Sequence, residues 1–243
     1  MRFLIKFSYD GTAYSGFQKQ KGLDTIEKRM EEALTKVNNN KKTTITATGR
    51  TDKGVHALAQ FGHADLDVNI TEYKLKRALN SNLPEDIHVT EAIKVSDGFH
   101  ARYNVKKKEY VYKINIGEYN PIERNHVFQY NYKLDIDEMK KAIKVFEGTH
   151  DFRAFVTEIK EIENCVRTIY KTKISKNKDI IELSFVGDGF LRYQVRNMVG
   201  LLIKVGENKI STKDVEKILE SKDRTKSGKT APAEGLYLAR IEY

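Results

Sequence analysis

Apolar residues in the first hundred positions change period in a fixed succession. Phe3, Ile5 and Phe7 alternate as in a half-buried strand, and Asp10-Gly11 then turns the chain. Behind Asp24-Thr25-Ile26-Glu27, which has capping-box spacing, Ile26, Met30, Ala33, Leu34 and Val37 recur on one helical face. Two β-prone stretches follow at 43–48 and 57–64, with a glycine-containing loop between them. Residues 71–82 read as a helix stopped near Pro84, and 87–95 as a strand. The order is βαββαβ, the split arrangement of a ferredoxin-like unit.

The second half repeats this order without repeating the sequence. Strands are expected at 108–117 and 126–132, then a helix capped by Asp135 with Met139, Ala142, Ile143 and Phe146 on its face, ended by Gly148. Strands at 165–175 and 179–186 flank a Lys176–Asp179 turn, a helix spans 190–205, and a short capped helix lies near 212–220. A final strand covers 236–243. The expected fold is α+β: two ferredoxin-like halves, 1–104 and 105–243, forming a continuous mixed or antiparallel sheet with a central cleft between them. No Pro- or Ser-rich linker separates the halves, and 221–230 is the one stretch that reads as a loose charged loop.

Charge narrows the function. Against 34 Asp and Glu the chain carries 43 Lys and Arg, a formal net charge of +9 over 243 residues. A basic surplus favours a polyanionic partner, because each cation that neutralises a phosphate releases a counterion. The lone Cys165 argues against a disulfide framework or a thiolate metal site. Lys6 interrupts the apolar start of the chain, so no secretion signal is expected. No apolar run approaches the roughly 20 residues of a membrane span. A soluble cytoplasmic protein is the expectation.

The densest chemical candidate is the loop 47–57. Gly49 and Gly54 permit a sharp turn, and Arg50 and Lys53 bracket Asp52 with positive charge that favours its ionised form. An ionised carboxylate on such a loop can serve as nucleophile or general base. The same pattern also fits a surface turn with an Asx cap.

Gly49-Arg50-Thr51-Asp52-Lys53-Gly54-Val55-His56-Ala57 resembles the catalytic-loop signature of the tRNA pseudouridine synthase A family. The resemblance extends along nearly the whole chain. It takes in Tyr9-Asp10-Gly11-Thr12-Ala13-Tyr14-Ser15-Gly16-Phe17-Gln18, Phe99-His100-Ala101-Arg102-Tyr103 and Glu109-Tyr110-Val111-Tyr112. Later in the chain it covers residues 148–155, Gly189-Phe190-Leu191, Val195-Arg196-Asn197-Met198-Val199-Gly200 and residues 231–238. Two departures stand out: Phe17 replaces the usual Trp, and 187–194 differs from the commonest version, adding Arg192.

The resemblance implies an isomerase that breaks the N1–C1′ bond of uridine, turns the uracil and joins C5 to the same sugar carbon. No cofactor and no metal are needed, since substrate and product are isomers. Asp52 matches the family's catalytic aspartate, which either attacks the sugar carbon or assists departure of uracilate. Tyr110 matches a tyrosine that stacks on the flipped base, although an alternating strand aromatic beside Tyr112 also fits core packing. Arg196 matches an arginine that pairs with the catalytic carboxylate. Arg50 matches one thought to fill the space left by the flipped base, and a phosphate contact fits it equally. The implied substrate is the tRNA anticodon stem-loop at positions 38, 39 and 40, and the implied assembly is a homodimer. The same chemistry on another RNA, or a noncatalytic RNA-binding protein, are the competing readings.

Arg102, Lys106, Lys107 and Lys108 interleave with Tyr103 and Tyr110 and read as RNA-backbone contacts. Lys222, Arg224, Lys226 and Lys229 form a weaker second candidate strip. Ser227-Gly228-Lys229-Thr230 ends like a phosphate-binding loop, but Asp223 stands at the required first glycine. His56 and His63 have no partner set resembling a zinc site, and Cys165 reads as a packed strand residue.

Overall fold

The structure is a computed structural model of the chain and describes residues 1–157 and 164–243. It is α+β, with ten strands and five α-helices among the described residues, in two compact units. The first unit is Met1–Lys106 with Tyr237–Tyr243, and the second is Lys107–Leu236. Among the described residues no helix is long and apolar enough to cross a membrane.

In the first unit β1 (Arg2–Tyr9), α1 (Ile26–Val37), β2 (Thr46–Ala47), β3 (His56–Asp65), α2 (Glu72–Asn80) and β4 (Ile87–Val95) follow the expected order. β1 lies between β3 and β4, antiparallel to both, and β2 pairs with the far side of β3. Alternation on β1 sends Phe3, Ile5 and Phe7 into a core with Ile26, Met30, Leu34, Leu75, Leu79 and Val89, each no more than 1% exposed. Each such side chain contributes about 1.5–3 kcal/mol through lost apolar hydration. The cap of α1 sits one residue later than its sequence spacing indicates. Thr25 accepts from Lys28 N–H, while Asp24 pairs with Arg29 at 2.6 Å and Glu27 accepts from Lys19 N–H.

The expected halves place the last strand in the second of them; the structure groups it with the first. A strand over Leu236–Glu242, here β10, runs parallel to β3 with Tyr237 opposite His56 and Leu238 opposite Ala57. The pairing buries Tyr237, Leu238 and Ile241, which outweighs their position in sequence.

The second unit comprises β5 (Lys107–Asn115), β6 (Phe128–Gln129), α3 (Ile136–Ala142), β7 (Gly148–Asp151), β8 (Val166–Asn177), β9 (Ile180–Gly187), α4 (Gln194–Gly206) and α5 (Thr212–Ser221). β9 lies between β5 and β8, antiparallel to both; β7 extends the sheet beyond β8, and β6 pairs with β5 in parallel. Tyr112, Ile114, Ile181, Leu183 and Phe185 share the buried face with Met139, Phe146, Phe152, Phe155, Met198 and Leu202. Asp135 caps α3 as its spacing indicates, accepting from Glu138 N–H at 3.0 Å. α4 begins at Gln194, four residues later than expected, because Tyr193 takes a left-handed conformation (φ 62°) at its start. The charged stretch 221–230 is not loose. Residues Arg224–Ser227 form a 3-10 turn, and Ser227 is fully buried. Cys165 is buried just before β8, and its carbonyl accepts from Phe152 N–H.

Candidate active site

Asp52 occupies a loop between β2 and β3 whose neighbours are fixed from outside it. Thr51, Val55 and His56 are buried, whereas Asp52 is half-exposed and Arg50 and Lys53 are exposed. The Tyr9 hydroxyl hydrogen-bonds Thr51 Oγ1 at 2.8 Å, and Phe17 N–H donates to Thr51 O at 3.0 Å. Val55 N–H donates back to Asp52 O at 3.2 Å, closing the turn that Gly54 enters with φ +78°. At the loop's far end Gly11 N–H donates to His56 Nδ1 at 3.1 Å, and the His56 ring stacks on Tyr237 at 4.8 Å. At its near end Thr48 Oγ1 and the Tyr243 hydroxyl are 2.6 Å apart, and Gln60 donates to Gly49 O.

This explains why the separate stretch Tyr9–Gln18 accompanies the Asp52 loop. Gly16 has φ +92°, and a Cβ there would stand 3.1 Å from Thr51 O and 3.2 Å from Lys53 N. A Cβ on Gly11 would overlap Val55 O at 2.0 Å. The two glycines let one backbone lie directly on another, an approach no side-chain-bearing residue permits. Desolvation raises the Tyr9 phenol well above its ordinary pKa, so it stays a neutral hydrogen-bonding group. The sequence pattern singled out Asp52 but not Tyr9, Gly11, Gly16 or His56 as its frame; only their recurrence as one motif hinted at it.

The Phe99–Tyr103 stretch is anchored in the same unit. Tyr243 packs on Phe61 and Phe99, and its hydroxyl donates to Ala101 O; burial pushes its pKa up to about 12. Ala101 N–H donates to His63 Nδ1 at 3.1 Å. Arg102 beyond it is exposed, as is Lys106, whose ammonium reaches Tyr243 O at 3.2 Å.

In the second unit Tyr110 projects from the buried face of β5, 9% exposed, with its ring edge-on to Phe190 at 5.1 Å. Its neighbour Tyr112 has no exposure, and its hydroxyl donates to Pro232 O. Lys107 is exposed with its ammonium 5.7 Å from the Tyr170 ring, and Lys108 is half-exposed. Arg196, on α4, is half-buried; its Nε–H donates to Ala231 O at 2.8 Å and its guanidinium lies over Tyr193. Arg192 lies over the same ring at 5.2 Å. The closing motif is set by contact: a Cβ on Gly235 would stand 2.7 Å from Lys113 O and the Tyr112 ring.

A profile described as tRNA pseudouridine synthase matches residues 5–104 and 142–243. This chain belongs to the tRNA pseudouridine synthase family. Members isomerise uridine in tRNA, and the chain is such an isomerase. It is 43% identical to tRNA pseudouridine synthase A of Pseudothermotoga lettingae over 244 residues, covering all of this chain and 99% of that one. The proteins of that name from Geobacillus sp. (strain WCH70) and Streptococcus pneumoniae are each 40% identical, over all of this chain and 98% of theirs. The family profile spans the Asp52 loop with its Tyr9–Gln18 frame, and the Arg196 helix with the segment that accepts its Nε–H. The backbone contacts from Gly11, Gly16 and Phe17 hold the loop, and with it Asp52, in one place.

Proposed function

We propose that the Asp52 carboxylate carries the isomerisation, acting at C1′ of a uridine flipped out of the anticodon stem-loop, at positions 38, 39 and 40 of tRNA. The observation that supports this most is the contrast within one loop. Asp52 is half-exposed while Thr51, Val55 and His56 around it are buried and hydrogen-bonded. A surface turn would leave its flanks mobile. A reacting carboxylate needs them fixed while it stays accessible to the nucleotide. The isomerisation exchanges one glycosidic bond for another: N1 leaves C1′ with the bonding pair, uracil rotates, C5 bonds to C1′, and the C5 proton is lost to solvent while N1 takes one up.

In this reading Tyr110 stacks on the flipped uracil, Arg196 pairs with the Asp52 carboxylate, and Arg50 enters the space the base has left. Arg102, Lys106, Lys107 and Lys108 follow the RNA backbone. The enzyme acts as a homodimer in the cytoplasm, which light scattering on the purified protein and imaging in cells would test.

With tRNA tritiated at uridine C5, the purified enzyme should release tritium, and Asp52→Asn should lower that release by about 10³-fold or more. Near-wild-type turnover in Asp52→Asn would remove Asp52 from the chemistry. Replacing the uridines at 38, 39 and 40 by cytidine should abolish release; continued release would assign another target.

A further inference from the structure

The stretch 221–230 reads in sequence as a loose charged loop with a weaker candidate strip for RNA contact, and part of it does something else. Arg224 turns inward, and one Nη donates to Ser227 Oγ and Gly228 O, each at 2.8 Å. The other donates to Asn197 Oδ1 at 2.9 Å and Thr230 Oγ1 at 3.0 Å. None of these four acceptors is a carboxylate. Partly burying a guanidinium without a counter-charge is costly, so the donors on its two Nη nitrogens are serving as a geometric connector.

What the connector joins is specific. The Asn197 amide donates to Phe155 O at 2.7 Å, which turns its oxygen toward Arg224 and toward Thr230, whose hydroxyl donates to it at 2.7 Å. Thr230 therefore accepts from Arg224 and donates to Asn197. On either side of Thr230 the backbone lies on α4. Lys229 O would stand 2.0 Å from a Cβ on Gly200, and Ala231 N–H donates to Arg196 O at 3.1 Å. Ala231 O then takes the Nε–H of Arg196. Residues 229–231 thus form a strap across three positions of α4, and its last carbonyl sets the direction of the Arg196 guanidinium.

We propose that Arg224 is a positioning residue for Arg196, acting through Asn197, Thr230 and the Ala231 carbonyl. The proposal rests on the reading of Arg196 as the partner of the Asp52 carboxylate. Arg196 has several rotatable bonds, and a fixed acceptor at Nε selects the rotamer in which its other nitrogens point one way. Without Arg224, the oxygens of Ser227, Gly228 and Asn197 lose donors. The strap then lifts, and Arg196 samples other rotamers at an unchanged charge. Binding of tRNA, carried by many phosphate contacts, should change little, and the chemical step should slow.

The test is a double-variant cycle on the full-length enzyme with tRNA, read as kcat and KM, with Tm measured for every variant. Arg224→Gln should lower kcat by about 10–100-fold, with KM within about twofold, at a temperature where the variant is folded. Thr230→Val, which removes one hydroxyl, should give a smaller loss of the same kind. Arg196→Ala combined with Arg224→Gln should be no slower than Arg196→Ala alone, because nothing remains to be positioned. Multiplying losses in the double variant, or a lowered Tm with unchanged kcat, would overturn the positioning role while leaving Arg196 in place. Full activity in Arg196→Ala would remove the reading of Arg196 and the positioning role with it.

Discussion

The Tyr9 hydroxyl and Thr51 Oγ1 meet at 2.8 Å where neither has more than 9% of its residue exposed, one position before Asp52. Removing the phenolic oxygen withdraws a partner from a buried hydroxyl, which costs about 1–3 kcal/mol. Tyr9→Phe keeps the ring packing on Phe7 and Phe17, so the loss is confined to the loop. The expected result is a folded enzyme with lower denaturation midpoint, reduced kcat and nearly unchanged KM for tRNA. Unchanged kcat would mean that the loop holds Asp52 without Tyr9. His63 carries a second residue-scale prediction, about pH. Its Nδ1 accepts from Ala101 N–H, and burial first, then the charges of Arg2 and of the His100 ring 4.8 Å away, depress its pKa below 6.5, against an opposing pull from Asp65. The folded state therefore binds this proton less readily than the unfolded chain. Its contribution to stability is complete above about pH 6.5 and is lost as pH falls toward the depressed value. Thermal melts between about pH 7.5 and pH 5 should show a fall in Tm that is smaller in His63→Gln; equal slopes would remove His63 as the cause.

At the scale of elements, α4 shows two opposed effects at one position. Gly200 lies within a helix, where alanine is intrinsically favoured by about 1 kcal/mol. Its missing Cβ is also where Lys229 O passes, at 2.0 Å, and a backbone oxygen cannot swing aside as a side-chain tip can. Overpacking of this kind costs about 1–3 kcal/mol and should win, so Gly200→Ala should lower the urea midpoint. A raised midpoint would show that the strap does not lie on the helix. The same contact marks how far sequence reading could reach. Apolar periodicity located α1, α2 and α4 because their buried residues recur every three or four positions. It missed β7, whose Gly-Thr-His-Asp has no apolar side chain and which exists through its pairing with β8. It placed the α1 cap at Asp24 instead of Thr25, because an Asp one residue early has the same spacing chemistry and its engagement with Arg29 is tertiary. Asp52 stood out as a candidate because glycines and cations cluster around it in sequence, a pattern that fits a surface turn as well and that the family resemblance singled out. Its frame did not, since Tyr9, Gly11 and Gly16 approach it from some forty residues away. Arg224 read as part of a weaker RNA-contact strip for a related reason: its acceptors Asn197 and Thr230 are ordinary polar residues that only the fold brings to it.

At the scale of the whole molecule, the surplus of nine positive charges predicts how the enzyme meets its substrate. A tRNA carries a phosphate at every nucleotide, and each cation that neutralises one releases a counterion. Affinity should therefore fall linearly with salt on logarithmic axes. Part of the surplus is not available for this. Arg224 is committed to the strap through neutral acceptors, and the slope counts phosphates contacted and not net charge, so it should fall short of the formal charge. Lys107 and Arg102 are exposed and belong to the strip proposed to follow the RNA backbone. Replacing either with alanine should reduce the salt slope by about 1 and weaken tRNA binding, leaving kcat at saturating tRNA near the wild-type value. Lys209 and Lys217 are also exposed, but each lies beside a carboxylate, Glu207 at 3.0 Å and Asp214 at 3.8 Å, and their removal should leave the slope unchanged. Binding titrations of these four variants from about 50 mM to about 300 mM salt separate local charge from total charge. If all four slopes drop alike, the net charge acts as a diffuse field and the strip from Arg102 to Lys108 has no special place. If only the first two drop, the surplus acts at particular phosphates, and the basic character of the chain belongs to one surface.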